Sequence, residues 1–215
     1  SRVEDADRHG RKVAAEVSRL LRSGLTPISG DPVARIKAMD LPLEPLPTRQ
    51  QWEESAKLTG VGVAYHARKN LARLERGEPL PTHVPYTIQS WNFGEDLAML
   101  FLAGEVVGDY SLRFKREFDS NRIWVNAYSN SAPCYIPSRR VLKTGQYEAV
   151  VSMRFYDQPA SFSPEIEEMI VAAVHELVPP AFLASARVNS LQRATTPEEA
   201  LAALQVDPTL DVKLA

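Results

Sequence analysis

The sequence predicts an α/β fold built on a mixed sheet with flanking helices. Three observations predict it. Apolar stretches at residues 84–93, 97–102 and 123–127 have strand length and are bounded by turn-forming residues. Stretches with apolar residues at helical spacing, residues 106–118 and 164–177, alternate with them. The order strand, helix, strand is that of a βαβ unit, whose helices cover a largely parallel or mixed sheet.

Taken along the chain, residues 2 to about 23 place Val3, Ala6, Val13, Val17, Leu20 and Leu21 at helical spacing, and Gly24 follows as a stop. Residues 33–43 alternate through Val33, Ile36, Ala38, Leu41 and Leu43, a strand ended by Pro42, Pro45 and Pro47. Thr48 then caps a helical stretch containing Trp52. A further helix runs from about residue 61 to 76. Its Ala64, Leu71 and Leu74 face inward, while His66, Arg68, Lys69, Arg73 and Arg76 form a mostly solvated face. Gly94, Glu95 and Asp96 make a tight hairpin turn between two strands, the second of which reads as buried on both faces. The last clear helix, residues 164–177, follows a Ser163 cap and carries Ile166, Ile170, Ala173, Val174 and Leu177 on one face.

The 215 residues suffice for one good core or two small domains. Lys and Arg number 25 against 27 Asp and Glu, a net charge of -2. That balance excludes a strongly basic nucleic-acid binder and an acidic disordered chain. No apolar run reaches the roughly 20 residues that span a bilayer. The single cysteine, Cys134, excludes an internal disulfide framework and an all-cysteine metal site. The chain starts at Ser1 directly in a helical pattern, and residues 210–214 read as a strand just begun. Both ends are therefore expected to be cut, which makes this a truncated domain.

Ligands of α/β sheets sit at the carboxyl ends of strands, so the residues after Leu102 and Ala127 are the first candidates. Glu105 follows Gly104 at the expected start of a helix, where the helix N-terminus keeps a carboxylate ionised, as a metal ligand must be. The simpler reading is a carboxylate that only stabilises the helix. Residues 130–140 crowd polar, aromatic and basic groups into one loop, with Asn130 and Tyr135 as candidates. Here the simpler reading is a tyrosine packed on its own loop. Zinc-protease, nucleophile-elbow and phosphate-loop motifs are missing from the sequence. His9, His66, His83 and His175 read as structural or exposed. Cys134 has no histidine nearby in sequence to lower its pKa.

At these residues the chain resembles a known family. Leu102-Ala103-Gly104-Glu105 and the helix after it resemble the Pro-Gly-Glu segment of the neutral (non-lysosomal) ceramidases. Residues 130–136, followed by Tyr147-Glu148-Ala149, are similar to that family's Asn-x-Tyr-x-x-Tyr-Ile/Val-Thr-Thr stretch and its later Tyr-Glu-Ala/Gly. The resemblance implies one Zn2+ held by two histidines, a glutamate and a tyrosine, and hydrolysis of an N-acylsphingosine to sphingosine and a fatty acid. Carried over, the metal ligands are Glu105 and Tyr135, and Tyr135 is also the catalytic residue that steadies an oxyanion. The chain departs from the pattern at Ala132, Pro133 and Cys134, at Pro137-Ser138, and in having Arg113 where the family has an arginine pair.

The family's histidines belong to the half of the domain that precedes these motifs. The implied organisation is therefore a distal catalytic half over residues 1–183, a linker at 184–195, and the start of another domain at 196–215. That last segment resembles the opening of the propeller-type domain of large bacterial haem-binding proteins. The expected partners are a ceramide-like lipid amide, a membrane surface and the missing half, which would dock on exposed apolar surface, with no nucleic acid among them. An exported location follows from the same resemblance. The alternatives are a non-catalytic binding or scaffold module with a drifted site, or a related zinc hydrolase of another amide or ester.

Overall fold

The computed structural model describes residues 2–184. Helix α1 spans Arg2–Arg22 and strand β1 spans Pro32–Pro42. Helices α2 (Arg49–Ser55) and α3 (Val61–Glu75) precede strands β2 (His83–Phe93) and β3 (Leu97–Leu102). A two-residue strand β4 (Glu105–Val106) leads into α4 (Gly108–Glu117), which is followed by β5 (Ile123–Asn126), the two-residue β6 (Tyr135–Ile136) and α5 (Arg139–Thr144). A π-helical turn at Tyr147–Val151, a 3-10 turn at Ser152–Arg154 and α6 (Ile166–Leu177) complete the order, with a last 3-10 turn at Pro180–Phe182. The fold is mixed α/β, as the sequence predicts. The proposed linker and following domain lie outside the described residues, apart from Ala184.

The sheet order is β1-β2-β3-β5. The first two pairings are antiparallel, and β3 pairs with β5 in parallel through the α4 crossover. Inward positions alternate along the strands: Leu41, Val84, Tyr86, Ile88, Ala98, Leu100, Leu102 and Ile123 are buried. They pack against α4, through Tyr110 and Phe114, with Phe118 just after it, and against α6, through Ile166, Ile170, Val174 and Leu177. Burying each such side chain contributes roughly 1.5–3 kcal/mol. The serine of the inward row is satisfied as well, since Ser90 Oγ donates to the Leu177 carbonyl at 3.1 Å.

Among the described residues, the other face of the same sheet is open. Register places Ile36 beside Gln89, Trp91 beside Ala34 and Met99, and Trp124 beside Met99. Ile36 is 63% exposed, Trp124 58% and Trp91 42%, and the ring of Trp91 rests on Phe101 at 5.1 Å. The expectation that residues 97–102 are buried on both faces is therefore corrected. Ala98, Leu100 and Leu102 are buried, whereas Leu97, Met99 and Phe101 are only half-buried. Helix α1 also buries none of its residues, and Val13, Val17, Leu20 and Leu21 are exposed.

Three local expectations change for physical reasons. His66 is buried on α3, not solvated, because its ring meets the edge of Trp52 at 5.5 Å and approaches the Asn70 amide at 3.2 Å. The cap of α6 falls on Glu165, not Ser163, and it supplies no side-chain hydrogen bond. Helix α4 starts at Gly108, because Glu105 and Val106 pair with Tyr135 and Ile136 before the chain turns helical. Thr48 caps α2 as expected, in a capping box with Gln51.

Candidate functional site

The site forms where the parallel strands β3 and β5 end, because the backbone leaving them is knitted together. Gly104 accepts from Tyr128 N at 2.9 Å and donates to the Ser131 carbonyl at 2.7 Å, and Glu105 N donates to the Cys134 carbonyl at 2.9 Å. The approach is too close for any side chain at 104. A Cβ there would lie 2.7 Å from the Cys134 carbonyl oxygen, and φ is +78°, in the left-handed region. Tyr128 and Asn130 also have positive φ, of 55° and 66°, which is uncommon for residues bearing a Cβ and marks a loop held in place by its surroundings.

This knot puts Glu105 directly opposite Tyr135 in the β4–β6 ladder. The Tyr128 hydroxyl donates to Glu105 Oε2 at 2.6 Å, and the Tyr156 hydroxyl donates to Oε1. Hydrogen bonds from Tyr128, Tyr156 and Tyr135 hold the carboxyl below the usual carboxylate range, so Glu105 is anionic at neutral pH. The reciprocal effect raises the phenols. Tyr135 is pushed up to about 12, first by its hydrogen bond to Glu105, and Tyr128 and Tyr156 are raised by the same carboxylate. The site is thus one fixed negative charge ringed by neutral hydroxyl donors. Aromatic edges extend it: Tyr135 meets Tyr147 at 5.7 Å and Tyr156 at 6.4 Å, both nearly perpendicular.

Tyr156 is held in place from a distance. Its neighbour Asp157 takes a left-handed φ of 60° and is bonded to Lys69 Nζ at 2.8 Å and to Arg73, both on α3. Tyr110, buried on α4, donates to the Pro137 carbonyl at 3.2 Å and anchors the far side of the β6 loop.

The sequence-predicted candidates divide. Glu105 and Tyr135 come together. Asn130 serves the left-handed turn of the loop and is exposed. Ser138 caps α5 through the Val141 amide at 3.2 Å, and Arg140 forms a two-point pair with Asp109 at 2.9 Å. Arg113 ties α4 to α6 through Glu167 and Glu168, at 2.8 and 2.7 Å, and serves packing between helices. Burial pushes the Cys134 thiol up to about 12, so it is no nucleophile at neutral pH. Tyr156 escaped the sequence reading altogether. A cluster of tyrosines between residues 128 and 156 was its only signal, and it needs the fold to become specific.

Among the described residues, no three His, Cys, Asp and Glu side chains gather into a metal set. His175 pairs with Glu117 at 2.7 Å, and His66 belongs to the Trp52 cluster. The donors present are one ionised carboxylate and adjacent phenols. That is chemically compatible with part of a zinc shell and short of the four ligands such a shell takes. No helix among the described residues is long and apolar enough to cross a membrane. No family model, curated protein or solved structure matches the chain.

Proposed function

We propose that this chain supplies the distal half of a zinc-dependent amide hydrolase of neutral-ceramidase type. Its reaction would be N-acylsphingosine plus water giving sphingosine and a fatty acid. The observation that carries the reading is the pairing of ionised Glu105 with Tyr135 across β4 and β6, at the carboxyl ends of two parallel strands. In this reading Glu105 and Tyr135 are two ligands of the metal, and two imidazoles come from a preceding half. Bound zinc would supply an acidified water and polarise the amide carbonyl.

The rest is done by the chain itself. Glu105 provides a fixed negative charge, and its tyrosine partners hold it in one orientation. The Tyr135 hydroxyl, opposite Glu105 in the ladder, would steady an oxygen that gains negative charge during amide addition. The uncovered apolar sheet face supports the partner reading, because such surface is ordinarily buried by another layer. A ceramide-like amide, a membrane-surface association and an exported location belong to the same proposal.

A second reading has an observation of its own. Both Glu105 oxygens already accept phenol protons, as they would in a purely structural cluster within a non-catalytic scaffold. The discriminating experiment is hydrolysis of an N-acylsphingosine by the longest natural polypeptide containing this sequence. The hydrolase reading expects Glu105→Ala to abolish turnover and Tyr135→Phe to lower kcat about 100- to 1,000-fold, the usual effect of losing one oxyanion donor. A wild-type polypeptide that neither binds zinc nor turns over the amide would support the scaffold, zinc binding without turnover would point to another amide or ester, and wild-type turnover in Glu105→Ala would remove Glu105 from the chemistry.

A further inference from the structure

Away from the tyrosine cluster, the chain carries two adjoining clefts that the hydrolase reading does not use. A cleft of about 400 Å³ lies between the start of α3 and the turn after the π-helix. Val63, Tyr65, Val151 and Phe155 line it, with Gly60 and Gly62 leaving its mouth open. A second cleft, of about 370 Å³, shares Val63 and Arg154 with the first, continues past Trp52, His66 and Met153, and is also lined by the carboxylate Glu44. Such volumes are those of small-molecule sites. Arg154 is the one charged side chain that both clefts share.

Arg154 is also unmatched. It is half-buried, and among the described residues its guanidinium takes part in no ion pair or hydrogen bond, whereas nearby Lys69 and Arg73 are both paired with Asp157. His66 adds no competing charge, because burial favours its neutral form. Tyr65 and Phe155 stay 64% and 69% exposed, an aromatic wall left to solvent beside a cation without a partner. That wall continues toward Glu105, since Phe155 stacks near Tyr147 at 6.4 Å and Tyr147 meets Tyr135 at 5.7 Å. The first cleft, apolar-walled with Arg154 as its one charged lining residue, is complementary to one kind of molecule: a hydrocarbon chain ending in a single anionic head.

We propose that the first cleft, between Val63 and Phe155, binds an anionic single-chain amphiphile, its tail on Val63, Tyr65, Val151 and Phe155 and its head on Arg154. This goes beyond the hydrolase reading and does not depend on it. Calorimetric titration of the chain with sodium decanoate, decyl phosphate and decyltrimethylammonium tests it directly. The expected result is one molecule of either anion per chain, with the cation at least tenfold weaker. Arg154→Gln should weaken both anions by tenfold or more, Arg154→Lys should retain part of the binding, and Phe155→Ser should weaken all three probes. Among the described residues the Arg154 guanidinium holds no hydrogen bond or ion pair, so thermal unfolding of Arg154→Gln should match wild type, which separates lost binding from lost folding. Tighter decanoate assigns a carboxylate head and tighter decyl phosphate a phosphate head; either upholds the site. Glu105→Gln and Trp124→Ser should leave binding unchanged, so this inference and the zinc reading fail separately. Absence of binding, equal binding of the cation, an unaffected Arg154→Gln variant, or loss of binding in Trp124→Ser would overturn the proposal.

Discussion

The two faces of the four-stranded sheet are built from neighbouring residues of the same strands, yet their surroundings are opposite. Leu100 is fully buried under α4 and α6, while its neighbours Met99 and Phe101 point to a face that no helix covers among the described residues. The closed face is apolar, and the open face is apolar along β3 and at Trp91 and Trp124 but carries Thr87 and Gln89 on β2. An ordinary half-solvated antiparallel sheet would alternate apolar with polar residues, whereas β3 is apolar throughout and Trp91, Trp124 and Ile36 extend the open side. The difference teaches that a sequence records the layers a sheet is meant to carry, and that a continuous apolar strand asks for two.

The largest expected effect lies on the closed face. Leu100→Ala should cost about 2–5 kcal/mol in urea unfolding, the usual cost of a cavity in a packed core. Gly104→Ala, at the carboxyl end of the same strand, should cost about 1–3 kcal/mol for the left-handed backbone alone, and the approach of the Cys134 carbonyl adds to it. Loss of only a few tenths would mean that the knot beneath Glu105 is slack.

Asp157 should show its contribution through pH. Burial opposes its ionisation, but Lys69 and Arg73 outweigh burial and hold the carboxyl below its ordinary value. A carboxyl depressed in the folded state stabilises above its unfolded pKa of about 3.9, and that stability is lost as pH falls through the folded value. Asp157→Asn should therefore cost about 0.5–1 kcal/mol at pH 7, a figure reduced for solvent screening, and the difference from wild type should shrink in urea melts toward pH 2. A difference that persists at low pH would assign the effect to packing instead. Glu105→Gln should lower the titration midpoint of Tyr135 from about 12 toward the ordinary phenol value near 10, read by ultraviolet absorbance. The smallest effect belongs to the open face, where Trp124→Ser should change stability by less than about 0.5 kcal/mol. A loss there comparable to Leu100→Ala would show that the open face is covered in solution.

Elements with one dominant period were legible in the sequence. The long helix at the start, the β2–β3 hairpin and α6 appear close to where apolar spacing and turn residues put them. The short pieces were not: β4, β6 and α5 are two to six residues long, too short for a period to show, and they exist because the chain around Gly104 closes on itself. The candidate site was legible by half for the same reason. Glu105 and Tyr135 could be singled out by position after strands, but Tyr128 and Tyr156 reach Glu105 from 23 and 51 residues away. His66 misled because its helix carries so many charges. Trp52, on a different helix, decides which side of α3 is buried.

Zinc stoichiometry bears most directly on the central claim, that Glu105 and Tyr135 are two ligands of a shared metal site. It would be measured by elemental mass spectrometry after dialysis on the longest natural polypeptide containing this sequence, with the present chain and Glu105→Ala alongside. The account predicts close to one zinc per wild-type polypeptide, near zero for Glu105→Ala, and weak retention by the present chain alone, since two ligands do not replace four. Zinc absent from the wild-type polypeptide, or retained unchanged in Glu105→Ala, would contradict it.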